Sequence, residues 1–313
     1  MTAAADTDRP TGAAHNLRGI GWMIMAMAAF ALEDAFIKAA SAIGMPTGQI
    51  LIVIGIGGGA IFGALARRRG IALFTPVLLR PAVLTRNVTE VIGTLGFVTA
   101  ITTIPLATAS AILQATPLVI TMGAALFFSE PVGWRRWTAI GAGFAGVLVI
   151  IRPGLDAFDP WSITAVIGVL GLAGRDLASR AVPVAISNLQ VATYGFLTLI
   201  PTGLIMLAVT GGTVWPDTTG WLLLLGAIAV GTAGYYSITA ASRTGEVAVV
   251  TPFRYTRLPF ALLVGWVFFT EVPDALTYVG AALIIASGIY TFLRERRLAR
   301  LARDRVMNAG APV

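Results

Sequence analysis

Long apolar segments dominate this chain and constrain its fold more than any other feature. A helix needs roughly 20 apolar residues to cross the hydrocarbon core of a bilayer. Ten segments of about this length can be read between charged residues, prolines and glycines, at about 19–40, 48–66, 88–104, 107–128, 134–151, 161–182, 185–209, 219–242, 247–270 and 275–293. The sequence therefore predicts an all-α integral membrane protein with ten transmembrane helices.

The composition excludes several other classes of protein. Charged residues make up 12% of the 313 residues, about half of the roughly 25% that a soluble domain carries. There is no cysteine, and the single histidine, His15, lies in a polar N-terminal segment, so no disulfide framework, metal site or Cys-His catalysis is expected. No glycine-rich loop is followed by Lys-Ser or Lys-Thr, so no nucleotide or other cofactor is expected.

The distribution of the cations predicts an orientation in the membrane. If the N-terminus is cytoplasmic, seventeen of the 22 Lys and Arg residues fall on the cytoplasmic side, and only Arg152 falls on the opposite side. Such a bias is the positive-inside pattern, and it places both termini in the cytoplasm. Because topology accounts for the basic charge, we expect no nucleic-acid partner.

The chain repeats itself at a spacing of 141–142 residues. Phe127-Phe128-Ser129-Glu130 matches Phe268-Phe269-Thr270-Glu271, and Asp34 and Lys38 match Asp176 and Arg180. Each repeat holds five predicted spans, and an odd number requires the two repeats to lie in opposite orientations. We therefore expect a disordered cytoplasmic N-tail at 1–17, a five-helix repeat at 18–152, an inverted five-helix repeat at 160–293, and a basic cytoplasmic C-tail at 294–313.

With ten spans, two five-span halves and a Phe-Phe-x-Glu segment in each half, the sequence resembles the EamA-type carriers of the drug/metabolite transporter superfamily. Residues 251–263 and Glu271-Val-Pro-Asp resemble a bacterial subgroup that includes S-adenosylmethionine carriers. The resemblance implies a carrier in the bacterial inner membrane, with a central cavity shared by both halves and a small-molecule substrate. It favours export and leaves import open.

Ionisable residues inside the predicted spans are the candidate functional residues. An ionisable group in a span costs several kcal/mol unless it is paired or hydrated. The candidates are Glu33, Asp34, Lys38, Glu90, Arg175, Asp176, Arg180, Arg254 and Arg257. Asp34–Lys38 and Asp176–Arg180 each place an acid four residues before a base, which fits either a neutralising pair within one helix or a gate that exchanges partners.

Arg254 and Arg257 lie three residues apart and share one helical face. They are interpreted as binding a substrate carboxylate or phosphate, although a structural network with Glu90 or an anchor at the inner surface would also explain them. Tyr255 is a further candidate for the substrate pocket. So is Gln114, because Pro117, one turn later, frees a backbone carbonyl.

Together these residues predict a secondary active or facilitative transporter of a small polar metabolite. A carboxylate-bearing amino acid or amino-acid derivative would suit the arginines, and alternating access at the interface of the repeats would move it, most simply as export. The alternative is an importer of a metabolite such as S-adenosylmethionine or a vitamin. A proton could couple through Glu33, Asp34 or Glu90, and uncoupled transport is equally compatible. A channel or an intramembrane enzyme fits less well, and both monomer and homodimer remain open.

Overall fold

The chain is helical throughout the part that the computed structural model describes. That part comprises residues 12–73, 75–130, 132–182, 186–244 and 247–309, and no strand occurs in it. The first half contains α1 (Gly12–Ala42), α2 (Thr47–Arg68), α3 (Pro81–Thr103), α4 (Leu106–Leu113), α5 (Thr116–Phe127) and α6 (Trp134–Ile151). The second half contains α7 (Ser162–Ser179), α8 (Asn188–Leu197), α9 (Leu199–Thr210), α10 (Thr218–Thr244), α11 (Val247–Val250), α12 (Arg257–Phe269) and α13 (Ala275–Ala309). Two short 3₁₀ helices cover Pro76–Leu79 and Thr251–Thr256.

Both predicted tails are helical where they belong to the described residues, which differs from expectation for the N-tail. Helix α1 begins at Gly12, so residues 12–17 of the expected disordered N-tail are helical, as the Ala13-Ala14 pair favours. Residues 1–11 lie outside the described residues. Helix α13 continues without a break from Ala275 to Ala309 because leucine, alanine and arginine, all good helix formers, dominate its last turns. The last four residues of the predicted C-tail, 310–313, also lie outside the described residues.

Seven helical stretches among the described residues are long and apolar enough to cross a membrane unaided. They correspond to seven of the ten predicted spans. The other three predicted spans are less apolar or are interrupted. Helix α3 carries Arg86 and Glu90, and α6 carries Arg135 and Arg136 in its first turn. A 3₁₀ helix divides the segment 247–270. The count of ten spans therefore stays a prediction.

Prolines divide the predicted spans 107–128, 185–209 and 247–270. A proline cannot donate to the carbonyl four residues earlier, so Pro117, Pro201 and Pro259 each leave a backbone acceptor without its helical partner. The Thr116 hydroxyl donates to the carbonyl that Pro117 frees, that of Leu113, over 2.6 Å. The carbonyl that Pro259 frees is that of Tyr255, and its partner comes from the other half of the chain.

Helices of the first half pack on helices of the second half in equivalent pairs. Helix α1 packs along α10, and its repeat counterpart α7 packs along α3, the counterpart of α10. Helices α2 and α6 instead pack on their own counterparts, α8–α9 and α13. The bundle is therefore built from two similar units with equivalent contacts, as the sequence repeat predicts.

Glycines bring α3 and α7 into backbone contact. A side-chain carbon at Gly93 would lie 2.6 Å from the backbone nitrogen of Leu172, and one at Gly96 would lie 2.5 Å from that of Gly168. Small residues commonly allow such close approach between membrane helices. The contact matters for function because it holds the charged side chains of α3 and α7 within reach of one another.

The outer surface of the bundle is apolar, as a hydrocarbon environment requires. Large side chains such as Ile56, Leu222 and Trp266 are more than half exposed on it. Polar pairs occur at the helix ends: the Arg152 guanidinium donates to Asp274, the residue before α13, which also accepts from the Thr277 backbone. These hydrogen bonds lower the pKa of Asp274 to about 2. The single cation predicted on the non-cytoplasmic side is thus neutralised by an acid.

We expect Gly93→Ala to destabilise the protein, because the added carbon meets the backbone of α7. Overpacking of this kind costs about 1–3 kcal/mol, and a lower melting temperature of the purified protein in detergent would report it. Gly141→Ala in α6 is the matched control, since a side-chain carbon there has open space and alanine favours the helix. Equal melting temperatures for the two variants would contradict the close packing of α3 and α7.

Candidate functional site

A first cluster of charges joins α1 to the start of α12. Arg257, the first residue of α12, donates to the buried Asp34 carboxylate of α1 over 2.6 Å. Its guanidinium also lies over the rings of Phe30 and Phe97, at 5.6 and 5.3 Å. Glu33, beside Asp34, forms no hydrogen bond or ion pair with any described residue. Two carboxylates and one guanidinium give this first cluster a formal charge of −1.

A second cluster joins α3, α7 and the 3₁₀ helix before α12. Glu90 of α3 pairs with Arg86 at 2.8 Å and with Arg175 of α7 at 3.4 Å. Asp176 pairs with Arg175 at 2.8 Å and, more distantly, with Arg254 at 3.9 Å. Three guanidiniums and two carboxylates give this second cluster a formal charge of +1.

A cavity of about 170 Å³ lies between the two clusters. Its charged lining residues are Glu33, Asp34, Arg175 and Arg257. The rest of its wall is mainly apolar, formed by Ile37, Leu51, Ile54, Thr94, Phe97, Val98, Leu172 and Leu199. Both halves of the chain contribute, so the cavity has a negative wall and a positive wall on a shared apolar frame.

Four of the predicted functional residues therefore line one cavity, and Glu90, Asp176 and Arg254 lie in the cluster behind it. Sequence reasoning missed Arg86, which was counted among the cytoplasmic cations. Helix α3 begins at Pro81, earlier than the predicted span, so Arg86 is buried inside the bundle. Its spacing of four residues from Glu90 was the available signal.

Of the two interpretations of Asp34–Lys38 and Asp176–Arg180, the neutralising pair within one helix is wrong. Lys38 pairs with Glu271 at 2.7 Å, and Arg180 pairs with Glu130 at 2.8 Å. In each case the acid follows the end of another helix, and it meets the base at closer range than the neighbour one turn away does. The two ion pairs are equivalents, because Lys38 matches Arg180 and Glu130 matches Glu271 in the repeat.

The Phe-Phe-Ser/Thr-Glu segments hold the acids of both pairs in the same way. Ser129 and Thr270 each have φ of 53°, a left-handed conformation that ends the helix. The backbone N–H of Glu130 then donates to the carbonyl of Ala124, and that of Glu271 donates to the carbonyl of Gly265. The repeated segment is therefore a helix stop that turns a glutamate back toward the bundle.

The two equivalent pairs differ in burial. The side chains of Lys38 and Glu271 are 14% and 16% exposed, whereas those of Arg180 and Glu130 are 47% and 48% exposed. Lys38 also donates to the carbonyl of Ile104, and Glu271 accepts from the backbone N–H of Leu106, each over 2.7 Å. The bundle is thus closed more tightly at the Lys38–Glu271 end.

Gln114 and Tyr255 do not line the cavity. The Gln114 side chain donates over 2.9 Å to the carbonyl of Tyr255, which is the acceptor that Pro259 leaves without a helical partner. The Tyr255 hydroxyl packs against Gly288 of α13. Gln114 therefore satisfies a carbonyl in the other half of the chain, and not the one that Pro117 frees nearby, which accepts from Thr116.

The model of the EamA-like transporter family matches this sequence twice, over residues 17–152 and 159–293. The chain belongs to the EamA-like transporter family. The resemblance proposed from the sequence is therefore confirmed, and so is the all-helical, two-repeat architecture.

Three curated transporters are similar to the chain over most of its length. A riboflavin transporter of Rhizobium johnstonii is 31% identical over 69% of this chain and 72% of its own. A pseudopaline exporter of Pseudomonas aeruginosa is 28% identical over 87% and 94%. An S-adenosylmethionine uptake transporter of Rickettsia felis is 25% identical over 63% and 66%.

A solved crystal structure shares the fold. It aligns with a TM-score of 0.55 and 20% identity, covering 92% of this chain and 99% of the other. With the family membership, these similarities show that the chain is a multi-pass membrane transporter of small metabolites and not an enzyme.

We expect the two equivalent ion pairs to contribute unequally to stability. Glu271→Gln leaves a mostly buried Lys38 without its acid and should cost about 3 kcal/mol. Glu130→Gln breaks a half-exposed pair and should cost no more than about 1 kcal/mol. Melting temperatures in detergent would compare the two variants, each of which is the other's matched control. Equal losses would mean that the difference in burial has no energetic consequence.

Proposed function

We propose that this EamA-like transporter is a secondary carrier that moves a small zwitterionic, amino-acid-derived metabolite by alternating access. The supporting observation is the cavity between two clusters of opposite formal charge. Glu33 on its negative wall forms no ion pair or hydrogen bond within the described part of the chain. On the opposite wall, Arg175 belongs to a cluster that carries one guanidinium more than its carboxylates neutralise.

A zwitterion complements such a cavity better than a simple anion does. Its ammonium group would approach Glu33, and its carboxylate would approach Arg175, whose planar donor fork suits a carboxylate. The apolar remainder of the wall would receive the side chain. Arg257 lies on the negative wall, where it pairs with Asp34 at 2.6 Å, so we assign it to the substrate site as a neighbour that sets the position of the acids.

A proton would compete with the substrate for Glu33. One carboxylate can be neutralised by an ammonium group or by a proton, but not by both at once. Inward movement of a proton in exchange for outward movement of the substrate would drive export, which is the direction that we propose. Asp34 and Glu90 are weaker candidates for this role because both are held in ion pairs.

The Lys38–Glu271 and Arg180–Glu130 pairs would act as alternating locks at the two ends of the cavity. We propose ten spans in two inverted repeats, at 18–152 and 160–293, in the bacterial inner membrane with both termini cytoplasmic. The Arg180–Glu130 lock then faces the cytoplasm and the Lys38–Glu271 lock faces outward. Because one chain supplies both walls of the cavity, a monomer suffices for this cycle, and a homodimer would contain two independent cavities.

The second candidate function is import of a metabolite such as S-adenosylmethionine or a vitamin. The name of the S-adenosylmethionine uptake transporter supports this direction, and that of the riboflavin transporter supports a vitamin as the substrate. S-adenosylmethionine also carries an amino-acid zwitterion, so the cavity would accept its charged end. Net uptake of substrate down an inward gradient, without any response to pH, would favour import over proton-coupled export.

Transport by the purified protein in proteoliposomes would test this proposal. We expect unlabelled substrate inside the vesicles to accelerate uptake of labelled zwitterionic amino acids, which a channel would not do. Methionine methyl ester, which lacks the carboxylate, and N-acetylmethionine, which lacks the ammonium group, should each compete at least about 10-fold less well than methionine, a loss of about 1.4 kcal/mol per missing charge contact.

Glu33→Gln should abolish the response to a pH gradient and remove the preference for the ammonium group. Asp156→Asn, an exposed acid in the loop before α7, is the matched control and should transport as the wild type does. If Glu33→Gln transports normally and still responds to the pH gradient, Glu33 has no part in substrate or proton binding. If methionine methyl ester and N-acetylmethionine compete as well as methionine does, the substrate is not a zwitterion.

Accessibility of single cysteines would test the inverted arrangement, since the natural chain contains no cysteine. Ser129→Cys and Thr270→Cys are a matched pair, because both positions are exposed and both have φ of 53°. We expect a membrane-impermeant maleimide added to whole cells to label position 270 and to spare position 129. Labelling of both from the same side would overturn the inversion.

A further inference from the structure

A basic pocket opens where the start of α6 meets α13. It has a volume of about 290 Å³ and is lined by Gly133, Trp134, Arg135, Arg136 and Arg294. Three of its five lining residues are arginines, and the pocket is separate from the central cavity. The transport cycle proposed above uses none of them.

The pocket lies at the level where the apolar part of the bundle ends. The apolar stretch of α13 runs from Ala275 to Arg294, so Arg294 marks its last residue. Trp134, at the first position of α6, is 71% exposed, and Trp137 is 41% exposed one turn later. Exposed tryptophans and a terminal arginine are typical of the boundary between hydrocarbon and lipid headgroups.

The surface next to the pocket is apolar. On α13, Tyr290 and Leu293 are each about half exposed on the side of the apolar stretch. A ligand with a charged end and long apolar chains could therefore place its charge among the arginines while its chains lie along the helices. A soluble anion would leave this apolar border unused.

The pocket also offers donors suited to phosphate. Guanidinium groups bind phosphate oxygens through two parallel donors. Helix α6 begins at Trp134 without a side-chain cap, so its positive end adds to the field of the arginines. Arg135 lies over the Trp134 ring at 5.3 Å, which holds its guanidinium at the mouth of the pocket.

We propose that this pocket binds the headgroup phosphate of an anionic phospholipid, with Arg135 and Arg294 as its main ligands. Basic pockets between membrane helices bind such headgroups. The bound lipid bridges the start of α6 and the end of the apolar part of α13, the two helices that pack closely at Gly146 and Gly280. The inference requires only that the pocket lies at a membrane boundary, so it stands whichever way the chain is inserted.

Thermal unfolding of the full chain in neutral detergent would test the proposal. We expect added phosphatidylglycerol to raise the melting temperature by about 5 °C, and phosphatidylcholine at the same concentration to leave it unchanged. Arg135→Gln with Arg294→Gln should reduce the rise to about 1 °C or less. The matched control is Arg67→Gln with Arg68→Gln, two exposed arginines at the end of α2, which should retain the full rise.

A second measurement does not depend on the double variant folding. Native mass spectrometry of the wild type in equimolar phosphatidylglycerol and phosphatidylcholine should show preferential retention of the anionic lipid, and Arg294→Gln alone should lower that preference about 10-fold. An unchanged preference in Arg294→Gln would overturn the proposal. So would an equal loss in the α2 control, which would indicate general charge attraction, or a full rise produced by inorganic phosphate alone, which would indicate a soluble-anion site.

Discussion

Pairing of opposite charges inside an apolar helix bundle is the interaction on which the rest of this structure depends. An isolated charge in such surroundings costs several kcal/mol, so each buried base has to be met by an acid. Several of the acids come from the other half of the chain, as in the pair of Asp34 and Arg257, which are 223 residues apart. Each pair of this kind therefore also fixes how one half of the chain sits on the other. The cavity lies beside Glu33, the acid that forms no ion pair with any described residue.

The repeat supplies the same parts twice, and the structure uses them unequally. Lys38–Glu271 is mostly buried and carries additional backbone contacts, whereas its equivalent, Arg180–Glu130, is half exposed. Two units of identical geometry would close both ends of the cavity to the same extent. The inequality of the equivalent pairs supports the alternating access that we propose, because a carrier at rest holds one end closed more firmly than the other.

Much of the fold and part of the site could be predicted from the sequence. Charged residues within apolar segments stand out in any sequence, so Glu33, Asp34, Arg175 and Arg257 were found without a structure. The pairing of Asp34 with Arg257 could not be found, because helical spacing suggests neighbours along the chain while the bundle brings together residues from separate helices. The role of Gln114 was hidden for a similar reason, since the carbonyl it satisfies is freed by a proline in the other repeat.

The hydrogen bond between Gln114 and Tyr255 joins positions that lie within one residue of corresponding to each other in the two repeats. If the halves trade conformations, every ordinary contact between them is converted into its counterpart elsewhere, as Lys38–Glu271 is into Arg180–Glu130. A contact between corresponding positions has no such counterpart, because the exchange carries it onto itself. The packing of α2 on α8–α9 and of α6 on α13 is of the same kind, so these contacts can persist while the two ends of the cavity open and close in turn.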